Sequence, residues 1–132
     1  MINCVLFDLD GVLVDACEWH FEALNRALEE VTNFKISRED HVTTYNGLPT
    51  KVKLELLCSM GIIKEEQKTK VWNRKQDLTI EVINENAILD NSKVDLLNFL
   101  KSNNITVGCV TNSIKKTAFL MLEKTGQKEK LD

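Results

Sequence analysis

The sequence predicts an α/β protein in which part of a Rossmann-like parallel sheet is interrupted by an all-helical segment. Two apolar runs, at 4–7 and 105–110, each end in polar residues and are typical of buried strands. Between them, residues 15–85 show only helical periodicity. After residue 88 the alternation of helix and strand favours a parallel, doubly wound sheet.

The all-helical segment contains three predicted helices. The first has an apolar stripe at steps of three and four residues, as one buried helix face requires. The second begins at Thr50, a reasonable N-cap, and ends at Gly61, a residue type that suits the position after a helix. The third is long and charged, with a few apolar residues facing inward. The predicted bounds are 15–32, 50–60 and 64–85, and the inward residues of the third helix are Val71, Leu78 and Val82.

The remainder of the chain returns to alternating helices and strands. Ser92 followed by Asp95 resembles a capping box and predicts the start of a helix. The second strand follows it, and a helix over 114–125 then ends at Gly126. We therefore expect a partial α/β core with a helical insertion. The expected domains are 1–14 with 86–132 for the core, and 15–85 for the insertion.

Composition and charge exclude several classes of protein. The chain has 132 residues and carries 17 Lys and Arg against 20 Asp and Glu, a net charge of −3. Nothing in this balance favours nucleic acid or a membrane surface as a partner. No apolar run approaches the ~18 residues of a membrane span, and no leader pattern opens the chain. We expect a cytoplasmic protein with reduced cysteines, of which Cys4 and Cys109 are buried in strands.

Two carboxylates follow the first predicted strand. Asp8 and Asp10 are two residues apart, so an extended backbone places both on one side. Gly11 then permits a sharp turn. Two like charges at this spacing repel unless a cation neutralises them. Because oxygen ligands suit Mg²⁺, the pattern predicts phosphate chemistry with magnesium as the cofactor.

The run Asp8-Leu9-Asp10-Gly11-Val12 resembles the first motif of the haloacid-dehalogenase-like (HAD-like) hydrolase superfamily. The helical insertion after it resembles the branch that includes β-phosphoglucomutase and phosphoglycolate phosphatase. The resemblance implies a HAD-like core with a helical cap. It also implies that Asp8 attacks phosphorus to form an aspartyl-phosphate, that Asp10 is the general acid and base, and that the Asp8 carboxylate and the Asp10 carbonyl hold Mg²⁺.

Other residues match the family at weaker motifs. Thr111 and Asn112 end the second strand, at the sheet edge where ligands of such folds bind, and resemble the family's phosphate-binding second motif. In the insertion, His20, Lys51 and Lys75 resemble cap residues that approach the substrate. The plainer alternatives are a strand-to-helix cap for Thr111, a half-exposed helical position for His20, and solvated helix faces for the two lysines.

Two further motifs of the family, a lysine and an acidic pair, have no match in the chain. We therefore expect it to correspond to the first part of a family member, with little or no turnover alone and an exposed core edge that favours self-association. Three functions stay open. They are an Mg²⁺-dependent phosphatase of a small phosphorylated metabolite, a sugar-phosphate mutase suggested by His20 and Arg74-Lys75, and a non-catalytic interaction protein.

Overall fold

The structure is a computed structural model that describes residues 1–132. The chain divides into two compact units. The α/β unit consists of Met1–Glu18 and Ile83–Asp132, and the helical unit consists of Trp19–Val82. The domain boundaries expected above, and the assignment of the two units to core and cap, stay predictions. No helix is both long enough and apolar enough to cross a membrane.

The secondary structure follows the predicted order of strand, helices, strand and helix. Three short elements were not expected: a helical turn and a π-helix before Gly47, and a 3₁₀ turn after Gly126. The elements are β1 (Cys4–Asp8), α1 (Cys17–Thr32), α2 (Arg38–Asp40), the π-helix (His41–Tyr45), α3 (Thr50–Ser59), α4 (Glu65–Asn86), α5 (Asn91–Ser102), β2 (Thr106–Val110), α6 (Lys115–Lys124) and a 3₁₀ turn (Lys128–Lys130).

The two strands of the α/β unit pair in parallel, as predicted. Their register places Cys4 opposite Thr106 and Asp8 opposite Val110, so both strands end at the same edge of the sheet. Helix α5 packs against β2, and Leu97 and Val107 are both fully buried. This register brings the loop after β1 and the loop after β2 to one side of the unit.

One face of the sheet is exposed, which corrects the prediction of two wholly buried strands. Leu6 keeps 66% of its surface exposed and Val110 keeps 61%. Cys4 is exposed and Cys109 is half-buried, so the prediction that both cysteines are buried was wrong. The reason is the period of two along a strand. Alternate side chains point to opposite faces, and only the face that carries Val107 is covered by a helix of this chain.

The outer edge of β2 is closed at one position by the last residue. The Asp132 N–H donates to the Val107 carbonyl (2.8 Å), and the Val107 N–H donates to Asp132 Oδ2 (2.9 Å). Lys101 Nζ donates to Asp132 Oδ1 at 3.0 Å. The hydrogen bond from Val107, followed by the contact with Lys101, lowers the pKa of the Asp132 carboxyl. A strand edge group that would otherwise stay open is thereby hydrogen-bonded.

Helix α5 begins one residue earlier than its predicted cap. Asp90, and not Ser92, is the N-cap, because an Asp90 carboxylate oxygen accepts from the Lys93 N–H. The Ser92 hydroxyl donates to the same carboxylate at 2.9 Å. The Asp90 N–H donates to the Thr125 carbonyl (3.1 Å), which holds Asp90 outside the helix. The cap hydrogen bond, followed by the one from Ser92, outweighs desolvation and lowers the pKa of Asp90.

The helical unit has an apolar core of its own. Trp19 and Trp72 pack against this core. The predicted cap of α3 was wrong, since Thr50 is the first helical residue and Pro49 holds the cap position without a side-chain hydrogen bond. Gly61 follows α3 with a positive φ of 72°, as expected. The core residues are Ala23, Leu24, Ala27, Leu28, Ile36, Tyr45, Leu54, Leu57, Ile63, Val71, Leu78 and Val82.

Candidate active site

Asp8 occupies the end of β1 with its carboxylate exposed. Oδ1 accepts a hydrogen bond of 2.7 Å from the N–H of Leu9, the next residue. Leu9 itself is fully buried, and this anchors the backbone directly after the carboxylate. Oδ2 of Asp8 accepts no hydrogen bond from the protein. The geometry therefore holds the side chain by one oxygen and leaves the other available to an electrophile.

The loop after Asp8 is a tight turn organised around one carbonyl. The Leu9 carbonyl accepts from the N–H groups of Val12, Leu13 and Val14, at 3.2, 3.0 and 3.0 Å. Gly11 adopts a φ of +79°, a conformation that side chains with a Cβ rarely take. Its N–H donates to the Val14 carbonyl at 2.8 Å. The sharp turn predicted after the acid pair is therefore present.

A hydrogen bond joins Asp10 to the loop that follows β2. Ser113 Oγ donates to Asp10 Oδ2 at 2.7 Å, although the two residues are 103 positions apart. The Ser113 N–H donates to Thr111 Oγ1 at 3.0 Å, and Asn112 between them is exposed. The structure therefore brings Asp10 close to the Thr111–Ser113 turn. Asp8 and Asp10 lie at the end of the sheet where β2 also ends.

Cys109 lies opposite Phe7 in the sheet, one residue before the position that faces Asp8. Burial raises the pKa of its thiol, and the negative charges of Asp8 and then of Asp10 raise it further. No lysine or arginine of the chain is hydrogen-bonded to Asp8.

The donors at the site are consistent with a magnesium ion, with few protein ligands. No group of three or more His, Cys, Asp or Glu side chains lies close enough to hold a metal ion. The candidate ligands are the oxygens of Asp8 and Asp10, which follow one another closely at the end of β1. Mg²⁺ is commonly held by one or two carboxylates together with water and substrate phosphate, so a two-residue site suits it better than it suits a metal that needs a full set of protein ligands.

A buried glutamine anchors the loop that carries Asp10. Gln127 is fully buried, and its Nε2 donates to the Leu13 carbonyl and to Thr125 Oγ1, both at 2.9 Å. Its Oε1 is also buried and has no hydrogen-bond partner. Because Leu13 is three residues after Asp10, this contact links the acid-bearing loop to the segment after α6.

Within the helical unit, the structure pairs two of the predicted site residues. Lys75 Nζ lies 3.2 Å from His20 Nδ1. Lys75 keeps only 6% of its surface exposed, so the solvated-face alternative was wrong for this lysine. His20 is half-buried. Arg74, the neighbour of Lys75, instead forms two hydrogen bonds with Glu30 on α1.

Lys51 lies apart from that pair, at the start of α3. Its side chain is exposed, and Nζ lies 5.9 Å from the centre of the Trp72 ring. It lines an open cavity of about 470 Å³ between α3 and α4. Lys68, in the same cavity, contacts Glu55 and Glu65 at 2.6 and 2.7 Å. The exposed position agrees with the solvated-face alternative for Lys51, and its predicted contact with substrate stays a prediction.

Three residues near the site were not among the sequence-predicted set. Ser113 and Gln127 are hydrogen-bonded to the loop of the acid pair, and the pKa of Cys109 is raised by both acids. The signal for Ser113 was present in the Thr111-Asn112-Ser113 run, where a polar residue follows the strand end. No local pattern marks Gln127, whose partner Leu13 is 114 positions away.

The profile described as "Haloacid dehalogenase-like hydrolase" matches residues 5–132. The chain belongs to this family. Its α/β fold, with a short parallel sheet and many helices, also matches HAD-like structures, as the sequence predicted. A phosphorylated carbohydrates phosphatase of Thermotoga maritima is 29% identical over 126 residues, covering 93% of this chain and 56% of that protein.

Two solved structures of HAD-like proteins superpose on 100% and 99% of this chain. A β-phosphoglucomutase from Clostridium difficile has a TM-score of 0.75 at 28% identity and is matched over 60% of its length. A family IA HAD hydrolase from Entamoeba histolytica has a TM-score of 0.80 at 21% identity and is matched over 58% of its length, a likeness in fold alone. The chain thus spans less than two thirds of these HAD-like relatives.

Proposed function

We propose that this chain carries the phosphoryl-transfer residues of a phosphatase for a small phosphorylated metabolite. The observation that supports the proposal most is the hydrogen bond between Asp10 and Ser113. Together with the register of β1 and β2, it supports a site in which the acid pair lies beside the turn that carries Thr111 and Asn112. A phosphate bound by that turn would lie near Asp8.

The proposed reaction has two steps. First, an Asp8 carboxylate oxygen attacks phosphorus, the bond from phosphorus to the leaving oxygen breaks, and protonated Asp10 gives its proton to that oxygen. Second, Asp10, now a carboxylate, takes a proton from water as the water oxygen attacks phosphorus. The bond between Asp8 and phosphorus then breaks, which releases inorganic phosphate and restores Asp8.

We propose Mg²⁺ as the cofactor, held by the Asp8 carboxylate and the Asp10 carbonyl. When bound, the ion supplies positive charge to the phosphoryl oxygens. The exposed Asp8 carboxylate and the second acid two positions after it support this assignment. The Thr111 hydroxyl and the Asn112 amide are proposed to orient the phosphate. The family name and the phosphatase relative support the same class of reaction.

A phosphoenzyme assay tests the proposal. The protein is incubated with acetyl phosphate and Mg²⁺, and the expected product carries one added phosphoryl group that neutral hydroxylamine removes. Peptide mapping should place the group on Asp8, and Asp8→Asn should abolish it. Asp15→Asn, which changes an exposed acid beyond the same turn, is the matched control and should keep the label. Labelling that survives Asp8→Asn would refute the proposed nucleophile.

Turnover is a separate measurement, because the chain spans 56% of the phosphatase relative. We expect little phosphate release from sugar phosphates by the chain alone, since no lysine of this chain is hydrogen-bonded to Asp8. A missing cationic partner in an electrostatically demanding transition state costs on the order of 3 kcal/mol, or about a hundredfold in rate. Rapid Mg²⁺-dependent turnover would contradict this expectation.

A sugar-phosphate mutase is the second candidate, and the contact between His20 and Lys75 favours it. A buried lysine in contact with a histidine has a more defined position than a solvated lysine, as a residue that binds substrate requires. The structure of a β-phosphoglucomutase also matches the whole chain. Both candidates use phosphorylated Asp8, and they differ in whether water or a sugar hydroxyl accepts the group. Incubation with β-glucose 1-phosphate and its bisphosphate separates them, since the mutase yields an isomeric sugar phosphate and the phosphatase yields inorganic phosphate.

A further inference from the structure

A hydrogen bond from the Ser113 hydroxyl links the turn after β2 to Asp10. The bond from Ser113 Oγ to Asp10 Oδ2 is 2.7 Å long, within the range of a hydrogen bond from a hydroxyl to a carboxylate. Both residues are half-buried, so water competes less for this contact than at an open surface. The hydroxyl therefore acts on the carboxylate that the proposed reaction uses for proton transfer.

The position of Ser113 is itself fixed. Its N–H donates to Thr111 Oγ1, which closes a small turn directly after β2. Asp10 is fixed from the other side, because it lies between fully buried Leu9 and the Gly11 turn. The hydrogen bond between the Ser113 hydroxyl and the Asp10 carboxylate thus joins two loops whose backbones are each held in place. A free aspartate samples several staggered χ1 rotamers, whereas this bond favours the rotamer that points toward Ser113.

We propose that Ser113 is a positioning residue that holds the Asp10 carboxylate in a single orientation for proton transfer. The inference rests on the proposed function of Asp10 as acid and base. Ser113 does not touch the reacting phosphorus in this scheme and acts only through Asp10. Misplacement of a catalytic group by about 1 Å costs up to a hundredfold in rate, so loss of the hydroxyl should slow the step that depends on Asp10 by about tenfold or more.

The first test needs no turnover. Three-bond couplings measured by NMR report the χ1 rotamer of Asp10 in the parent chain, in Ser113→Ala and in Ser113→Thr. We expect one rotamer in the parent and in Ser113→Thr, which keeps the hydroxyl, and rotamer averaging in Ser113→Ala. Ser102→Ala is the matched control, since the exposed Ser102 hydroxyl donates only to the Phe99 carbonyl of its own helix. An unchanged rotamer in Ser113→Ala would overturn the proposal.

The second test separates the two chemical steps. Acetyl phosphate has a good leaving group that needs no proton from Asp10, so Asp8 phosphorylation should proceed at the parent rate in Ser113→Ala. Hydrolysis of the phosphoenzyme needs Asp10 as a base and should slow by about tenfold, with recovery in Ser113→Thr. In an Asp10→Asn background, Ser113→Ala should have no further effect.

The outcomes distinguish failure of the positioning role of Ser113 from failure of the proposed phosphoryl transfer. If Asp8 is labelled but hydrolysis is equally fast in Ser113→Ala and the parent, the positioning role is wrong and the proposed function stands. If Ser113→Ala slows hydrolysis equally with or without the Asp10 carboxylate, Ser113 does not act through Asp10. If the parent chain acquires no label on Asp8, the proposed function fails, and the role assigned to Ser113 falls with it.

Discussion

Replacing Gln127 by glutamate tests whether the anchor of the acid-bearing loop is sealed from water. The change preserves shape and replaces the amide donor with a carboxyl group. In the native chain that donor faces the Leu13 carbonyl and Thr125 Oγ1, and Gln127 has no exposed surface. A carboxylate there would lose its hydration and face a carbonyl oxygen. We therefore expect Glu to be neutral in the folded protein and to donate its proton to Leu13.

The size of the effect follows from proton linkage. An unfolded glutamate has a pKa of about 4.3, so keeping it protonated at pH 7 costs about 3.7 kcal/mol, whereas at pH 4 the cost is about 0.2 kcal/mol. The sign follows because the folded pKa is raised above the unfolded value. The folded state binds the extra proton, so the variant loses stability as the pH rises above the unfolded pKa. Relative to the parent, Gln127→Glu should regain about 3 kcal/mol between pH 7 and pH 4.

Amide hydrogen exchange is the appropriate assay. Both tryptophans lie in the helical unit, so their fluorescence does not report on the unit that holds Gln127. The Gln127 N–H donates to the Leu122 carbonyl at 2.8 Å, and its exchange measures opening of the surrounding structure. Gln127→Met, similar in shape and without charge, is the control and should show no such pH dependence. An equal loss of stability at both pH values would mean that the carboxylate reaches water, which would refute the burial argument.

Two further predictions follow from contacts of single side chains. Asp90→Ala should destabilise the protein by about 1 kcal/mol, because Asp90 accepts the hydrogen bond that caps α5, and Ser92→Ala should destabilise it by less. Urea denaturation followed by circular dichroism measures both free energies. A larger loss for Ser92→Ala would mean that Ser92 is the cap. Asp8→Asn should lower the pKa of Cys109 and speed alkylation of its thiol at neutral pH, since the Asp8 charge raises that pKa. Asp15→Asn is the control for that rate, and an Asp8→Asn rate equal to the parent's would place Asp8 away from Cys109.

Local sequence signals predicted most of the elements, because helix stops and apolar periodicity depend on near neighbours. Gly61 and Gly126 both take the positive φ that ends a helix. The start of α5 was misplaced because Asp90 and Ser92 are both good caps. A tertiary contact decides between them: the Asp90 N–H bonds to Thr125, 35 positions along the chain, and no local pattern contains that information.

The chemistry of the site was less predictable than its location. The first strand and the acidic motif that follows it were predicted from the single short segment 4–12. The burial of Lys75 depends on the packing of helices far apart in sequence, so periodicity alone left it on a solvated face. The bond between Ser113 and Asp10 depends on strand register, which the sequence of a two-stranded sheet does not determine.

The carboxylate of Asp132 has a consequence for how this protein behaves in acid. It occupies the Val107 N–H on the outer side of β2, where another polypeptide would otherwise join by backbone pairing. The lowered pKa of Asp132 means that the contact is present at neutral pH and is lost as the pH falls through that pKa. Acidification therefore removes the hydrogen bond that protects the edge of a two-stranded sheet in which Leu6 and Val110 are already exposed. Fibril-like association should begin there first, nucleated along β2.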